Sequence, residues 1–342
     1  MFTKNEVFET PYFIAEVGQN HNGDLDLALE YIRVFALEGA NAIKFQTRNN
    51  KYLFDRSAYN AQYASENAFA PTYGEHRERL ELKPEWLLRL KDECEAHGVK
   101  FMSTPFDEPS LKLLDDVGVD IIKIASFDLG NIPFLDRVAR LMKPVVMSTG
   151  GGGREHIRIS IDTIASYHKD LAVLHCVSEY PCSFDRLGLH NIAVLSQEFP
   201  EFCIGSSDHF NGILSGPVAY LQGARVFEKH VTLNRASKGT DHSFALEREG
   251  FRKFVRDVNR VRHMLPTKHD VEIGQEYVFQ KLGKSIIALT DIEAGEELTL
   301  ENLSGKIFQS TYIPVRESFR LIGKKALSDI KSGQPITESD FL

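Results

Sequence analysis

Residues 12–46 read YFIAEVGQNHNGDLDLALEYIRVFALEGANAIKFQ, and this stretch contains the pattern that decides the fold. A short apolar run, Tyr12–Val17, precedes Asp26–Glu38, where apolar residues recur at the 3.6-residue spacing of a helix. Gly39 provides a natural end for that helix, and a second apolar run follows at Ala42–Gln46. The stretch therefore predicts two parallel strands joined by a helix.

The same alternation continues to about residue 265 and comprises eight rounds. A (β/α)8 barrel typically has about 250 residues, whereas a doubly wound sheet more often has about five or six strands. The sequence therefore predicts an α/β fold in which residues 1–265 form a (β/α)8 barrel, or TIM barrel. The predicted strands are Tyr12–Val17, Ala42–Gln46, Lys100–Ser103, Ile121–Ala125, Pro144–Ser148, Ala172–His175, Phe202–Gly205 and Arg225–His230.

A long polar and aromatic segment, residues 47–83, follows the second predicted strand and is called the insertion below. Long loops inside compact domains usually cover a site or form a contact surface. The sequence leaves open whether the insertion is a lid or a subunit contact.

A repeat near the C-terminus indicates a second domain. Residues 291–299, DIEAGEELT, are echoed 38 residues later by residues 329–337, DIKSGQPIT. This self-similarity predicts a small pseudo-symmetric β-rich domain at residues 283–342, the tail domain, after a linker at residues 266–282. A domain of this size is near the lower limit for independent stability, so we expect it to pack on the barrel or on a second subunit.

The composition excludes several classes of function. Among 342 residues, 40 are basic and 48 are acidic, and the net charge is −8 without a long run of Lys and Arg. We therefore expect no nucleic acid and no membrane as partner, and no apolar stretch approaches the roughly 18 residues of a membrane span. We expect a cytoplasmic protein that acts on small molecules. The four cysteines lack the spacing of a zinc site or a disulfide framework, and we expect buried free thiols.

Charged and hydroxyl-bearing residues lie at the carboxyl ends of the predicted strands, where barrel enzymes carry their active sites. Lys44 and Lys123 lie inside apolar runs, so each ammonium group needs an anion or loses its charge. With Ser126, Ser207 and the glycine run 150–153, they predict a cradle for a phosphate group. The alternative is a structural ion pair with a barrel glutamate such as Glu16.

Two histidines, His209 and His230, end the neighbouring seventh and eighth strands. Asp208 and Glu228 lie beside them in the sequence. Such a set suits a divalent transition metal with open coordination positions better than a closed structural site. The alternative is that each histidine is a hydrogen-bonded residue of the barrel.

Nine short motifs follow one another in an order that resembles the sialic acid synthase family. They are Glu16–Gly23, Ala42–Thr47, Ser103–Phe106, Lys123–Ser126, Leu174–Cys176, Tyr180-Pro181, Ser207–His209, Glu228–His230 and Lys238–His242. The resemblance covers nearly the whole chain, because the residues from about 284 onward resemble the antifreeze-like (SAF) domain of those enzymes. That family includes N-acetylneuraminate, pseudaminic acid and legionaminic acid synthases and spore coat polysaccharide biosynthesis proteins of the E type. Residues 125–128 and 176–181 look more like the pseudaminic and spore-coat branches.

The resemblance implies a transferase that condenses phosphoenolpyruvate with the open-chain aldehyde of an N-acyl hexosamine, giving phosphate and a nine-carbon 2-keto-3-deoxy (nonulosonic) sugar acid. It implies phosphoenolpyruvate binding for Lys44, Thr104, Lys123, Ser126, Ser178 and Ser207. It implies sugar binding for Gln46, Tyr180 and Asp241, and catalysis for Glu16 and Asp128. It implies His209 and His230 as ligands of a divalent metal, manganese in the first place, with magnesium or cobalt as alternatives.

The chain departs from the family pattern in three places. Asp128 stands where many members have a glutamate, and Ser178 stands where an asparagine is common. Residues 303–308 lack the arginine that the partner subunit's SAF domain offers to the sugar, and Arg316 and Arg320 are the candidates to replace it. The resemblance also implies a domain-swapped homodimer, in which the tail domain of one chain covers the barrel mouth of the other.

Two other functions fit parts of the pattern. A phosphorylated-aldose synthase of the octulosonate phosphate type would share the barrel and the phosphate cradle. It would need an additional basic site for a second phosphate, and the sequence shows no obvious spare cluster. A non-catalytic carbohydrate-binding protein, in which the tail domain recognises the sugar, is the other alternative.

Overall fold

The computed structural model describes residues 1–2, 10–267, 269 and 272–342. The chain forms two compact units, Met1–Leu265 and Pro266–Leu342. In the first unit, eight parallel strands close into a barrel in the order β1 to β8, which confirms the predicted TIM barrel. The strands are β1 (Tyr12–Gly18), β2 (Ala42–Thr47), β3 (Lys100–Pro105), β4 (Ile121–Ile124), β5 (Val145–Ser148), β6 (Leu171–Cys176), β7 (Cys203–Asp208) and β8 (Val226–His230).

Helices surround the barrel and alternate with its strands. They are α1 (Leu25–Leu37), α2 (Asn50–Leu53), α3 (Arg56–Tyr59), α4 (Tyr73–Leu80), α5 (Leu87–Ala96), α6 (Glu108–Val117), α7 (Ile132–Arg140), α8 (Arg154–Ala165), α9 (His190–Glu198), α10 (Ser215–Leu221) and α11 (Arg248–Met264). Local capping residues define the ends of several helices. The Asp24 side chain accepts a hydrogen bond from the backbone of Leu27 at the start of α1, and Gly118 ends α6 in the left-handed conformation.

The period-two alternation of the strands separates an apolar layer from a polar one. Phe45 on β2 and Ile122 on β4 point outward and pack against the helices. Ile121 and Val226 point inward and belong to an apolar cluster inside the barrel. The next inward positions, two residues further along the same strands, are Lys123 on β4 and Glu228 on β8. The carboxyl half of the barrel interior is therefore charged, while the other half is apolar.

The insertion is ordered around its own aromatic cluster. The rings of Tyr63 and Tyr73 lie 4.6 Å and 6.1 Å from the imidazole of His76, measured between centroids. A side chain at Gly74 would come within 2.3 Å of the Tyr59 ring, so the backbone of α4 packs directly on that ring. This packing fixes the orientation of α4, which carries Arg77.

The second unit contains an antiparallel pair of strands, β9 (Lys284–Ala288) and β10 (Leu303–Ile307). Its sequence repeat forms reciprocal contacts. Asp291 accepts a hydrogen bond from the backbone of Ser332, and Asp329 accepts one from the backbone of Ala294. The repeated aspartates thus pair the two halves of a small β-rich domain, as the sequence predicts.

A helix, α12 (Tyr277–Leu282), lies inside the segment predicted as a linker, residues 266–282. Residues 268, 270 and 271 of that segment, and residues 3–9 of the predicted barrel range, lie outside the described residues. The bounds of the linker therefore stay a prediction. The four cysteines are free and buried, as expected from their spacing. In the described part of the chain, no helix has both the length and the apolar character that a membrane span requires.

Candidate active site

A cavity of about 520 Å³ opens at the carboxyl ends of the barrel strands. It is lined by eleven of the thirteen residues that the sequence singles out as site residues. These eleven are Glu16, Lys44, Gln46, Thr104, Lys123, Ser126, Tyr180, Ser207, His209, His230 and Asp241. The barrel therefore brings most of the predicted site to one mouth.

Two lysines and two glutamates occupy the base of this cavity. Lys44 Nζ lies 2.8 Å from Glu16 Oε2 and 3.8 Å from Glu228 Oε2. Lys123 Nζ lies 3.5 Å from Glu228 Oε1. All four side chains are at least nine-tenths buried. Strand register explains the contacts, since Glu16 on β1 is the pairing partner of Lys44 on β2.

The two glutamates differ in their pKa. Burial raises the pKa of Glu16, and the charge of Glu228 adds to the rise, although Lys44 opposes it. Burial alone would also raise the pKa of Glu228, but Lys123 and Lys44 outweigh it and lower that pKa to about 2. Paired carboxyl groups whose pKa values are driven apart are suited to different roles. Glu16 is therefore able to exchange a proton, while Glu228 keeps its charge.

Hydroxyl groups complete the cradle around the lysines. Lys123 Nζ donates to Ser148 Oγ over 2.7 Å, and Lys44 Nζ donates to Thr104 Oγ1 over 3.3 Å. The backbone of Gly150 donates to Ser126 Oγ over 3.0 Å. The ion pair with Glu16 that the sequence offered as an alternative does exist, but it lies in the cavity wall. When Glu16 holds a proton, two ammonium groups face one carboxylate, and the base attracts an anion.

The two histidines lie next to each other in the cavity wall, with ring centroids 5.3 Å apart and ring planes tilted by 50°. His209 Nδ1 donates to the backbone carbonyl of Val177 over 2.8 Å, which leaves its Nε2 lone pair available. Burial lowers the pKa of His230 to about 4, so its ring is neutral at physiological pH. Within the described ranges, His230 Nδ1 has no hydrogen-bond partner, and the nearest acidic oxygen, of Asp241, is 3.9 Å away.

This donor set fits a divalent metal with open coordination positions. Two imidazoles supply two ligands, and imidazole is a good ligand for transition metals. Counting the described residues alone, no group of three or more His, Cys, Asp or Glu side chains is arranged to hold a metal. Further ligands would therefore come from substrate and water, as in catalytic rather than structural sites.

Two predicted residues, Asp128 and Ser178, are not among the residues that line the cavity. Asp128 lies in a single 3-10 turn, 126–128, and accepts a hydrogen bond from the side chain of Asn131 over 2.9 Å. Burial raises its pKa. Ser178 lies directly behind the glycine run, since a side chain at Gly150 would come within 2.5 Å of its Oγ.

Several lining residues were not predicted as site residues. Glu228 is not among the predicted site residues, although it and His230 both occupy inward positions on β8. That period-two relation was the signal that would have identified it. The unpredicted lining residues are Gln19, Arg48, Asn67, Arg77, Phe106, Ala125, Phe127, Ser148, Cys176, Glu228 and Thr240.

Other motif residues hold the loops around the site rather than lining it. Asn20 Nδ2 donates to the carbonyl of Val231 over 2.9 Å, which ties the loop after β1 to the end of β8. The His242 ring is hydrogen-bonded to Thr232 over 2.7 Å on the same side of the barrel. These contacts fix the strand ends from which Glu16 and His230 project.

Comparison with known proteins agrees with the fold. The NeuB family model matches residues 31–270, and the SAF domain model matches residues 283–342. The chain is 33% identical to human N-acetylneuraminate-9-phosphate synthase over 329 residues, which covers 96% of this chain and 91% of the human protein. It is 32% identical to N,N'-diacetyllegionaminic acid synthase of Legionella pneumophila over 331 residues, which covers 95% and 92%.

A solved structure shows the same relation. The N-acetylneuraminic acid (sialic acid) synthetase of Leptospira borgpetersenii superposes with a TM-score of 0.69 at 32% identity, covering 77% of this chain and 89% of that one. The matches thus extend over most of the chain. The chain belongs to the NeuB family and ends in a SAF domain.

Proposed function

We propose that this protein condenses phosphoenolpyruvate with the open-chain aldehyde of an N-acyl hexosamine. The products are inorganic phosphate and a nine-carbon 2-keto-3-deoxy sugar acid. One observation carries the proposal: two buried lysines and two histidines line a single cavity at the carboxyl end of the barrel. The names of the relatives, which are synthases of sialic and legionaminic acids, support the same reaction class.

Phosphoenolpyruvate binds at the base of the cavity in this proposal. Lys44 and Lys123 attract its carboxylate and phosphate, and hydroxyl groups orient them. The hydroxyl groups assigned to this role are those of Thr104, Ser126, Ser148, Ser178 and Ser207. Ser207 Oγ donates to Glu228 Oε1 over 2.9 Å, so Glu228 holds both a lysine and a hydroxyl in position.

His209 and His230 would hold the divalent metal, with manganese proposed first and magnesium or cobalt as alternatives. When bound, such a metal supplies a Lewis acid for the aldehyde oxygen of the sugar. Tyr180 packs against His209, with ring centroids 4.0 Å apart, and Asp241 lies beside His230. With Gln46, these two side chains are proposed to bind the sugar.

The reaction needs one new carbon–carbon bond and one proton acceptor for water. The methylene carbon of phosphoenolpyruvate attacks the aldehyde carbon, and the aldehyde oxygen takes up a proton and becomes a hydroxyl group. Water adds to carbon 2 and gives its proton to a carboxylate, after which phosphate leaves from that carbon. Glu16, with its raised pKa, is the proton-exchanging group that lines the cavity. Asp128, in the same 3-10 turn as Ser126, is proposed to help accept the proton from this water.

The reaction is tested by phosphate release from phosphoenolpyruvate, with manganese and a panel of N-acyl mannosamine and altrosamine derivatives. We expect release that depends on both substrates and a product whose mass is that of the sugar acid. No release with any acceptor would contradict the proposal. Under the carbohydrate-binding alternative, Lys44→Ala and His209→Ala would leave sugar binding intact.

The glycine run gives a sharp test of the base of the cavity. A Cβ at Gly151 would lie 1.8 Å from the carbonyl oxygen of Ser126, whereas one at Gly153 would meet no atom within 4 Å. We expect Gly151→Ala to displace Ser126 and to lower kcat/KM for phosphoenolpyruvate by about 10- to 100-fold, the cost of overpacking. Gly153→Ala is the matched control. Equal rates of the two variants would show that Ser126 does not bind phosphoenolpyruvate.

We further propose a cytoplasmic, domain-swapped homodimer in which the tail domain covers the partner's barrel mouth. Arg316 and Arg320 are the proposed replacements for the arginine that the family's SAF domain offers to the sugar. Light scattering should give the mass of a dimer, and truncation at about residue 280 should abolish activity. A monomeric mass, or a truncated chain with full activity, would contradict this assembly.

A further inference from the structure

A buried ion pair lies behind the two histidines, on the outer face of the strands that carry them. Asp208 ends β7, Lys229 lies on β8, and the parallel register makes these two residues pairing partners. Lys229 Nζ lies 2.6 Å from Asp208 Oδ2, and the two side chains are 0% and 5% exposed. Neither residue is among those that line the cavity at the barrel mouth.

This is an unusual place for two charges. Alternation along β8 turns Lys229 outward, and Phe227 and Val231 on either side of it belong to the apolar layer under the helices. A buried ion pair is seldom more stable than well-packed apolar residues of similar volume, because the cost of desolvation cancels most of the attraction. Stability of the fold alone therefore does not account for the pair.

The pair holds the peptide groups that follow His209. Asp208 Oδ1 accepts a hydrogen bond from the backbone nitrogen of Phe210 over 2.7 Å, and Lys229 Nζ donates to the backbone carbonyl of Phe210. The hydroxyl of Ser215, at the start of α10, donates to Asp208 Oδ2. Both polar backbone groups of the residue after His209 are thus bound by the ion pair.

The loop after β6 holds His209 from the other side. His209 Nδ1 donates to the carbonyl of Val177, and the backbone carbonyl of His209 accepts from the backbone nitrogen of Cys182 over 3.1 Å. The histidine is therefore fixed between this loop and the ion pair. Loss of the pair would free the backbone at Phe210, and the imidazole of His209 would then shift relative to that of His230.

We propose that Asp208 and Lys229 are positioning residues that hold His209 at the place where it binds the metal. The inference rests on the proposed function, of which the metal site is a part. In this proposal, neither side chain touches the metal or a substrate, and Asp208 acts through Lys229 and Phe210 rather than as a ligand. Partners that orient a metal-binding histidine typically change metal affinity by about 10- to 100-fold.

A double variant, Asp208→Leu with Lys229→Met, separates positioning from stability. It replaces both charges with apolar side chains, so we expect its thermal unfolding temperature to change by less than about 5 °C. Its dissociation constant for manganese, measured by electron paramagnetic resonance, should nevertheless rise by about 10- to 100-fold. Unchanged manganese affinity in the folded double variant would overturn the proposal, as would a loss of affinity that appears only with a large loss of thermal stability.

Lys100→Met with Asp120→Leu is the matched control. Lys100 Nζ lies 3.2 Å from Asp120 Oδ1, and Asp120 also accepts a hydrogen bond from the backbone of Phe101, but this pair lies at the amino ends of β3 and β4. We expect the control to bind manganese like the natural sequence, and equal losses in both double variants would contradict positioning by Asp208 and Lys229.

A milder variant decides the question where the double variant does not fold. Ser215→Ala removes one hydrogen bond to Asp208 and keeps both charges, and we expect it to weaken manganese binding by about threefold. Unchanged binding in Ser215→Ala would then overturn the proposal. A natural sequence that binds no manganese would instead count against the metal site of the proposed function.

Discussion

Replacing Lys123 with methionine is expected to lower kcat/KM for phosphoenolpyruvate by on the order of 10²- to 10³-fold. Lys123 is 3% exposed and lies 3.5 Å from Glu228 and 2.7 Å from Ser148 Oγ. Methionine keeps the length of the side chain but removes the ammonium group. The base then holds a single lysine against Glu228, so even with Glu16 protonated it has no excess positive charge to attract a trianionic substrate.

The same change is expected to destabilise the fold, because Glu228 loses one of its two lysines while it remains buried. Thermal unfolding should therefore be measured beside the kinetics. Lys100→Met is the matched control, since Lys100 lies on β3 at the opposite, amino-terminal end of a strand and its side chain is 48% exposed. An unchanged KM for phosphoenolpyruvate in a folded Lys123→Met variant would remove the phosphate cradle from the proposal.

The strands and the inward-pointing residues at the base of the cavity were predictable, because both follow from the alternation of side chains between the two faces of a strand. Side chains alternate between the two faces along Ile121–Ile124. Because Ile122 and Ile124 pack outward against the helices, Lys123 between them points into the barrel. The errors lie at polar strand ends. Strand β7 continues to Asp208 instead of ending at Gly205, because Ser206 and Ser207 still pair with β6 although they are not apolar. Backbone pairing of polar residues leaves no signal in the pattern of hydrophobicity along the sequence.

Side-chain direction outside the strands was less predictable. Asp128 was assigned to the reaction from its position in a motif, but the 3-10 turn at 126–128 gives its carboxylate a hydrogen bond to Asn131. A carboxylate on a turn takes its direction from local hydrogen bonds, which no periodic pattern encodes. Ser178, by contrast, lies next to Ser126 behind Gly150, and a change at that glycine would affect both hydroxyl groups.

The joint contribution of Arg48 and Arg77 to the cavity could not be predicted from the sequence, for a tertiary reason. Arg48 and Arg77 are brought together only because α4 packs on Tyr59 and on the aromatic cluster of the insertion. From its sequence, the insertion is expected to be a lid or a subunit contact. Three of its side chains, Arg48, Asn67 and Arg77, line the cavity, so the insertion forms part of the site itself.

Removal of divalent metal is expected to abolish phosphate release, and addition of manganese to a chelated sample should restore it. The physical reason is that His209 and His230 offer two nitrogen donors, while the described residues supply no group of three or more His, Cys, Asp or Glu side chains that would hold a metal tightly. A site with two protein ligands should lose its metal readily to a chelator. Reactivation by magnesium and cobalt, measured at equal free concentration, ranks the candidate metals.

His230→Ala should lower manganese affinity by on the order of 100-fold or more, because one imidazole alone remains. Manganese binding is followed by electron paramagnetic resonance, which reports on the metal independently of turnover. His97→Ala is the matched control, since that histidine caps the end of α5 and its ring hydrogen-bonds to Glu93 of that helix. A chelated enzyme that kept its full rate, or a His230→Ala variant that bound manganese normally, would show that the two histidines are structural residues of the barrel. The aldehyde oxygen would then need a different acid to activate it. The acidic proton of a protonated Glu16 would then be the first candidate, because its pKa is raised and its carboxyl group lies in the same cavity.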